Sequence, residues 1–296
     1  MLLISQERIE FYLSRQQEGA DQRLMKSKKR TVGIIIWIAV IIALLISAIL
    51  IGPSSGEKES VKDVMKDAVL HESSRISFFG IMDVNPAVVS AFTVTAILLI
   101  FAAAVRIFAV PRFKTAPGKF QLMLESLVGF FDDIAKSNSP HRNKFLSVYI
   151  FSAGTYIFVG TVFELIGLQA VTTQGRSIAM PAPLSDINGA IAMGVLSYLI
   201  ILSGGIASNG LRGAGNTLKD FSLPISMSFR LFGALLSGLL VTELVYYYLG
   251  LSFVLPIAVG VLFTLLHALI QTYVLIMLTA LFYGEVSEPH SKKDKV

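Results

Sequence analysis

Long uncharged runs separated by short polar segments set the pattern of this chain. A helix needs about 20 apolar residues to cross the hydrocarbon core of a bilayer. Val32–Ile51 carries no charge, and neither does Val88–Val105. Phe145–Phe163 is the next such run and is followed at once by Glu164. Ile187–Ala207 is another, rich in Gly and Ser near its end. From Phe221 to Gly284 the only formal charges are Arg230 and Glu243, and Gly250 and Pro256 bracket the natural break. Two helices of about 30 residues, or about 45 Å each, are predicted there. Each is longer than a bilayer core is thick, so strong tilt is expected. Gly118–Lys136 differs. Phe120, Leu124, Leu127, Val128 and Phe131 recur at helical spacing among Lys119, Glu125, Asp132 and Asp133. That spacing predicts an amphipathic helix lying on the membrane surface or against a partner.

Lys and Arg orient the spans. Residues 1–31 hold seven (Arg8, Arg15, Arg23, Lys26, Lys28, Lys29 and Arg30), and residues 106–144 hold seven more. A predicted loop at 204–220 adds Arg212 and Lys219, and the tail adds Lys292, Lys293 and Lys295. The alternate segments are poorer. Residues 52–87 have four, diluted by six acids, 169–186 has Arg176, and 248–256 has none. The positive-inside rule then places both termini in the cytoplasm with six membrane helices. The expected order is a basic tail at 1–31, an anchor at 32–51, an exterior linker at 52–87, a membrane domain at 88–288 and a basic tail at 289–296. The linker is expected to contain a short helix within 52–80. Val32–Ile51 also has features of a cleaved signal segment, with a basic flank before it and small residues ending it. Its length and the 31 residues before it favour a retained anchor.

Composition agrees with this all-α integral membrane reading. The 296 residues are 54% hydrophobic and 15% charged, with a mean hydropathy of +0.69. Soluble domains run at about 45–50% apolar and about 25% charged. Cysteine is absent, so disulfides, thiolate metal sites and thiol nucleophiles are excluded. The four His lie scattered at 71, 141, 267 and 290, giving a His metal cluster little support. No GxxxxGK[ST] phosphate loop occurs. No cofactor, metal or nucleic-acid partner is expected. The net charge of +5 serves topology.

The charges left inside the spans are the informative ones. A mid-membrane Arg costs at least about 2.5–3.5 kcal/mol on insertion scales, so Arg230 needs a polar cavity or a partner charge. A buried Arg–Glu pair within the chain is the plain alternative. Ser222, Ser226, Arg230, Gly233 and Ser237 share one helical stripe, small apart from the Arg. Small residues let a second helical surface approach closely. The opposite stripe, Leu231, Leu235 and Leu239, is expected to face core or lipid. On the last helix Thr264, His267 and Gln271 share one face. Glu243 lies about 20 Å beyond Arg230 along its helix, too far for an ion pair and better suited to a relay.

These residues resemble subunit a of the F-type ATP synthase, the stationary ion-channel subunit, over roughly Asn85–Glu288. SFRLFGALLSGLL is similar to that family's arginine-bearing RLFGN block, and HALIQTYVLIMLTALFYGE to its LIQAFVF-type final helix. PGKFQLMLESLVGFFDD and APLSDIN, similar to P-[ST]-A-D-[LV]-N, complete four blocks in the family's order. Beyond the extra N-terminal span, which the uncharged run at 32–51 predicts, the resemblance implies one membrane helix, an amphipathic surface helix, a helical hairpin and two long tilted helices. Those two would pack against a rotating ring of c subunits, with peripheral-stalk b subunits as further partners in a bacterial cytoplasmic membrane. Arg230 would be the essential arginine, facing the ring's mid-membrane carboxylate between two ion half-channels, and Gln271 the glutamine facing it. The chain would not itself be an enzyme.

Three positions depart from the family pattern. Leu239 stands nine residues after the arginine, Thr264 seven before the glutamine, and Ala234 at the RLFGN asparagine. The usual half-channel pair is therefore displaced, with Glu243 and His267 each about one turn away. Glu164 is expected to join them at the exterior mouth. Asp186 and Asn188 match the D-x-N block and either line the channel or cap the next helix. The coupling ion, H⁺ or Na⁺, stays open. The rival reading is a secondary transporter using Arg230 to hold an anionic solute. Such proteins usually carry matched repeats, and this chain shows none.

Overall fold

The computed structural model describes residues 38, 39, 42, 66, 75–78, 82–173, 175, 177–247 and 260–288. Several expectations lie outside these: most of the 32–51 anchor, the linker helix within 52–80, Arg176, the 248–256 turn and the basic tails. The chain divides into a unit of residues 1–57 and a unit of residues 58–296. In the first unit only Ile38, Ala39 and Ile42 are described, all helical.

The second unit opens with a two-stranded antiparallel ribbon, β1 (Ile76–Phe78) and β2 (Met82–Val84). It lies in the stretch expected to be linker. Helix α1 (Pro86–Ala104) follows, and the chain continues through a π turn at Val105–Ala109 and a 3₁₀ turn at Val110–Arg112. Asn85 starts α1 by accepting a hydrogen bond from the Ala87 amide, with Pro86 at the first helical position. Only Pro86, Ala87, Ser90 and Val94 of α1 are buried. Ile97, Leu99, Ile100 and Phe101 lie bare, as they can only in hydrocarbon or against a partner.

Helix α2 (Lys119–Asn138) matches the expected amphipathic segment within two residues. Phe131 and Ala135 are buried, and the Phe131 ring packs edge-on to Phe151 at 5.4 Å. Phe120, Leu127 and Val128 stay exposed. On its polar face Lys136 donates to Asp132 at 2.5 Å, holding that carboxyl below its usual range. Helix α3 (Asn143–Ile166) buries Leu146, Ile150, Ala153, Ile157 and Thr161, one stripe at helical spacing. It ends at Gly167, whose φ of 64° is the left-handed cap that glycine adopts cheaply. A second ribbon, β3 (Gln169–Val171) with β4 (Ser177–Ala179), leads to a 3₁₀ turn at Pro183–Ser185.

Helix α4 (Ile187–Lys219) is not one straight rod. Gly210 sits at φ 60°, ψ −143°, and the chain reverses there. Tyr198 Oη donates to the Thr217 carbonyl at 3.0 Å across 19 residues, which a straight helix would hold about 28 Å apart. The expected 204–220 loop is therefore corrected: it is mostly helix, and its turn is confined to the neighbourhood of Gly210. Asn209, just before the turn, donates to the carbonyls of Val286 and Glu288 at 3.1 and 2.9 Å. These are the groups that a helix C-terminus leaves without partners.

Helix α5 (Ser222–Tyr247) lies on α4. Pro224, Met227, Ser228, Leu231 and Leu235 form its buried stripe. The last described helical stretch is a π turn at Gly260–Leu265 that runs on as α6 (Leu266–Ser287). It packs between α3 and α4 and touches α5 less. The core joins Leu146, Ile150 and Ile157 of α3, Ile201 of α4, Leu231 and Leu235 of α5, and Leu275 and Ile276 of α6. Among the described residues, five segments are long and apolar enough to cross a membrane: Pro86–Arg112, Asn143–Ile166, Ile187–Lys219, Ser222–Val241 and Gly260–Ser287. The fold is that of a helical membrane protein carrying two small ribbons.

The closeness of α4 and α5 depends on Gly194. A Cβ there would collide with Ser228 Oγ and lie 2.9 Å from the Pro224 carbonyl oxygen. Gly194→Val is expected to push α5 off α4 and sharply reduce the amount of chain recovered in membranes. Immunoblots of membrane fractions, with Gly215→Ala as the unobstructed control, check this.

Candidate functional site

The five residues of the small stripe on α5, Ser222, Ser226, Arg230, Gly233 and Ser237, are all exposed. The opposite stripe turns Leu231 and Leu235 into the core. This pairing follows from the period of the helix, because Pro224, Met227 and Leu231 fasten the other side to α4. Arg230 makes no ion pair or hydrogen bond with any described residue, so the buried Arg–Glu alternative finds no described partner. Its guanidinium points outward from a helix whose neighbours are apolar. A solute-binding arginine would instead face a cavity between helices. Glu243 lies within α5, and its side chain is outside the described set.

Around the next turns of α5 the structure draws several expected residues together. Thr161 and Glu164 of α3, Ala234, Leu235 and Gly238 of α5, and Phe263, Thr264 and His267 at the head of α6 enclose a gap of about 10 Å³. That is close to the smallest space that holds one water, about 10–15 Å³. Along α5 the gap lies about 6–12 Å from Arg230, between it and Glu243. Glu164, Thr264 and His267 thus line one gap, closed by α5 on its third side. Thr161 and Phe263 complete the lining and were not singled out by the sequence, since neither type stands out within an apolar helix.

His267 Nδ1 is 2.7 Å from the Phe263 carbonyl oxygen, and its ring stacks on the Phe263 ring at 5.9 Å and 13°. A carbonyl only accepts, so Nδ1 carries the hydrogen and Nε2 is the ring atom left to accept a proton. Gln271 follows one turn on. It is 7% exposed, and its Oε1 has no hydrogen-bond partner among the described residues. No hydrogen bond joins it to Arg230 among the described residues. Buried polar atoms are nearly always satisfied, so this oxygen marks a wet or partner-facing position. Thr264 is buried on the same stripe.

Asp186 acts as a cap. Its Oδ1 accepts from the amides of Asn188 and Gly189 at 2.9 and 3.2 Å, and its Oδ2 from Asn85 Nδ2 at 2.5 Å. One carboxylate therefore starts α4 and ties it to the start of α1. Asn188 is exposed, and its contact here is through its backbone amide. Asp186→Ala is expected to cost about 0.5–2 kcal/mol of helix stability. Less assembled chain should result, with unchanged ion transport per assembled chain. Quantifying both in the same vesicles checks the capping role against a channel role.

Residues 88–284 match the family described as ATP synthase A chain. The chain belongs to that family. Two relatives called ATP synthase subunit a, from two strains of Cereibacter sphaeroides, are each 24% identical to it over 208 residues. The match takes in 66% of this chain and 80% of each relative. Together with five segments apolar enough to span a bilayer, membership makes this a multi-pass membrane protein associated with ATP synthesis and ion transport. The family match begins after the β1–β2 ribbon and ends within α6. It spans Arg230, the gap at Glu164 and His267, and Gln271.

Proposed function

We propose that this chain is the ion-translocating stator subunit of a rotary ATP synthase, presenting Arg230 to a ring of c subunits. The observation that carries the reading is the outward, small-residue stripe bearing Arg230. A charge that costs this much in a bilayer must meet a partner, and Ser222, Ser226, Gly233 and Ser237 leave room for a helical surface to approach it. The partner chemistry is a mid-membrane carboxylate on the ring. A guanidinium is a fixed positive charge that does not act as a proton carrier. That of Arg230 attracts the ionised carboxylate, favours release of the carboxylate's proton, and does not relay protons itself. Its positive charge also blocks direct leakage from one half-channel to the other.

The gap at Glu164, Thr264 and His267 is the relay on the exterior side, with one water bridging carboxylate and imidazole. His267 does the work of the residue usual at Thr264. Glu243 extends the path along α5. Gln271, with its unpaired oxygen, lies near the point where ring and channel meet. The relay's acid and base favour H⁺ as the coupling ion. Peripheral-stalk b subunits are the other membrane partners, both termini face the cytoplasm, and the membrane is the bacterial cytoplasmic one. The chain supplies ion passage and torque rather than ATP chemistry.

Affinity purification through a tag on this chain tests the assignment. A ring of small two-helix subunits and a soluble ATPase are expected to co-purify, and vesicles of the assembly should acidify on ATP addition. The tagged chain alone moving an anion across vesicles would favour the transporter reading instead.

A further inference from the structure

We infer that Phe263 is the positioning residue of His267. The inference rests on the relay role of His267 proposed above and adds what fixes the imidazole in its working state. Two contacts converge on that ring from one residue. The Phe263 carbonyl takes the Nδ1 hydrogen at 2.7 Å, which sets the tautomer. The Phe263 ring lies nearly parallel to the imidazole at 5.9 Å, which sets its plane. Fixing one nitrogen as donor makes the other, Nε2, the sole acceptor.

The local backbone explains why this is possible. In a regular α-helix the carbonyl of residue i is taken by the amide of residue i+4, which for Phe263 is His267 itself. Gly260–Leu265 is a π turn, where the ladder runs to i+5 and the helix widens. A side-chain donor can then share that carbonyl. Such turns inside α-helices are rare and concentrate at functional sites. This one stands at the gap: Phe263, Thr264 and His267 all line it. The other groups facing His267 there are Thr161 and Glu164 from α3 and Ala234, Leu235 and Gly238 from α5. Glu164 is the one carboxylate among these, so the proton taken at Nε2 passes between imidazole and Glu164 through the small gap.

The arrangement also accounts for the departure at Thr264. Positions three apart lie on one face of a helix. A proton-accepting group at His267, three residues later than usual, then reaches the same lining as Thr264.

Phe263→Leu keeps an apolar side chain of similar bulk and removes the ring face. Phe263→Tyr keeps the face. His267→Ala removes the imidazole and identifies its signals. Each variant is made in the complete ATP synthase, labelled with ¹⁵N-histidine and placed in vesicles. Solid-state NMR reads the tautomer, and ATP-driven acidification reads proton flow. The parent and Phe263→Tyr are expected to show the Nδ1–H form and matching flow. Phe263→Leu keeps the carbonyl but frees the ring plane, so the imidazole turns out of line with that carbonyl part of the time; it is expected to show the Nε2–H form as well, with flow lower by about tenfold, below the ~10²-fold cost of a 1 Å misplacement. The inference is overturned if Phe263→Leu keeps the parent tautomer or the parent flow, or if Phe263→Tyr behaves like Phe263→Leu. Unchanged flow in His267→Ala is a separate failure. It removes the relay reading whatever the tautomer of the other variants.

Discussion

Arg230→Ala is expected to abolish ATP synthesis driven by an ion gradient and to leave the complex assembled. Arg230 is exposed on α5 and bonds no described residue, so its loss strands no buried partner. Folding therefore loses little. On the proposed function, the loss falls on the step in which a fixed positive charge meets the ring carboxylate. Removing a preorganised charge or donor from a dry site costs on the order of 10²–10³ in rate, and here leak between half-channels adds to it. Arg230→Lys is also expected to fail, because an ammonium in a low-dielectric setting can lose its proton and pass it on. ATP synthesis in inverted vesicles, with blue-native gels confirming assembly, reads both outcomes.

The second large effect is expected at the three-helix gap. Glu164→Gln and His267→Ala should each lower proton flow on the order of 10²-fold, the lower range for losing a proton-transfer group. The double variant should be little worse than either single one, since both act on one path through one gap. Thr264→Val should have a smaller effect, because a threonine hydroxyl can bridge by hydrogen bonds but does not ionise at working pH. ATP-driven acidification at fixed complex content measures all four. Equal flow in the double variant and the parent would remove the relay from this site.

Much of this arrangement is legible in the sequence. The uncharged runs locate the five described membrane segments, because hydrocarbon tolerates few charges. The amphipathic spacing of Phe120–Phe131 locates α2 within two residues. The period of α5 alone separates the Arg230 stripe from the Leu231–Leu235 stripe, and the structure turns them as that period requires. Other features leave no such trace. The reversal at Gly210 lies in a run of Gly, Ser and Ala, where hydropathy has no period to break. The three-residue strands of β3 and β4 are too short for alternation to be seen. The π turn at Gly260–Leu265 is a one-residue shift in a helix apolar on nearly every side. Spacing alone puts Thr264 and His267 on one face, but not which residues of α3 and α5 close the gap around them.

Cysteine cross-linking tests the central claim, that the Arg230 stripe faces the ring, most directly. The chain has no native cysteine, so introduced ones report without background. Ser226→Cys and Gly233→Cys, flanking Arg230 on the exposed stripe, are paired with a cysteine beside the ring carboxylate. Leu235→Cys on the buried stripe is the control. Oxidation is expected to join both stripe positions to the ring subunit and to leave position 235 unjoined. A ring cross-link at position 235 with none at 226 or 233 would contradict the account.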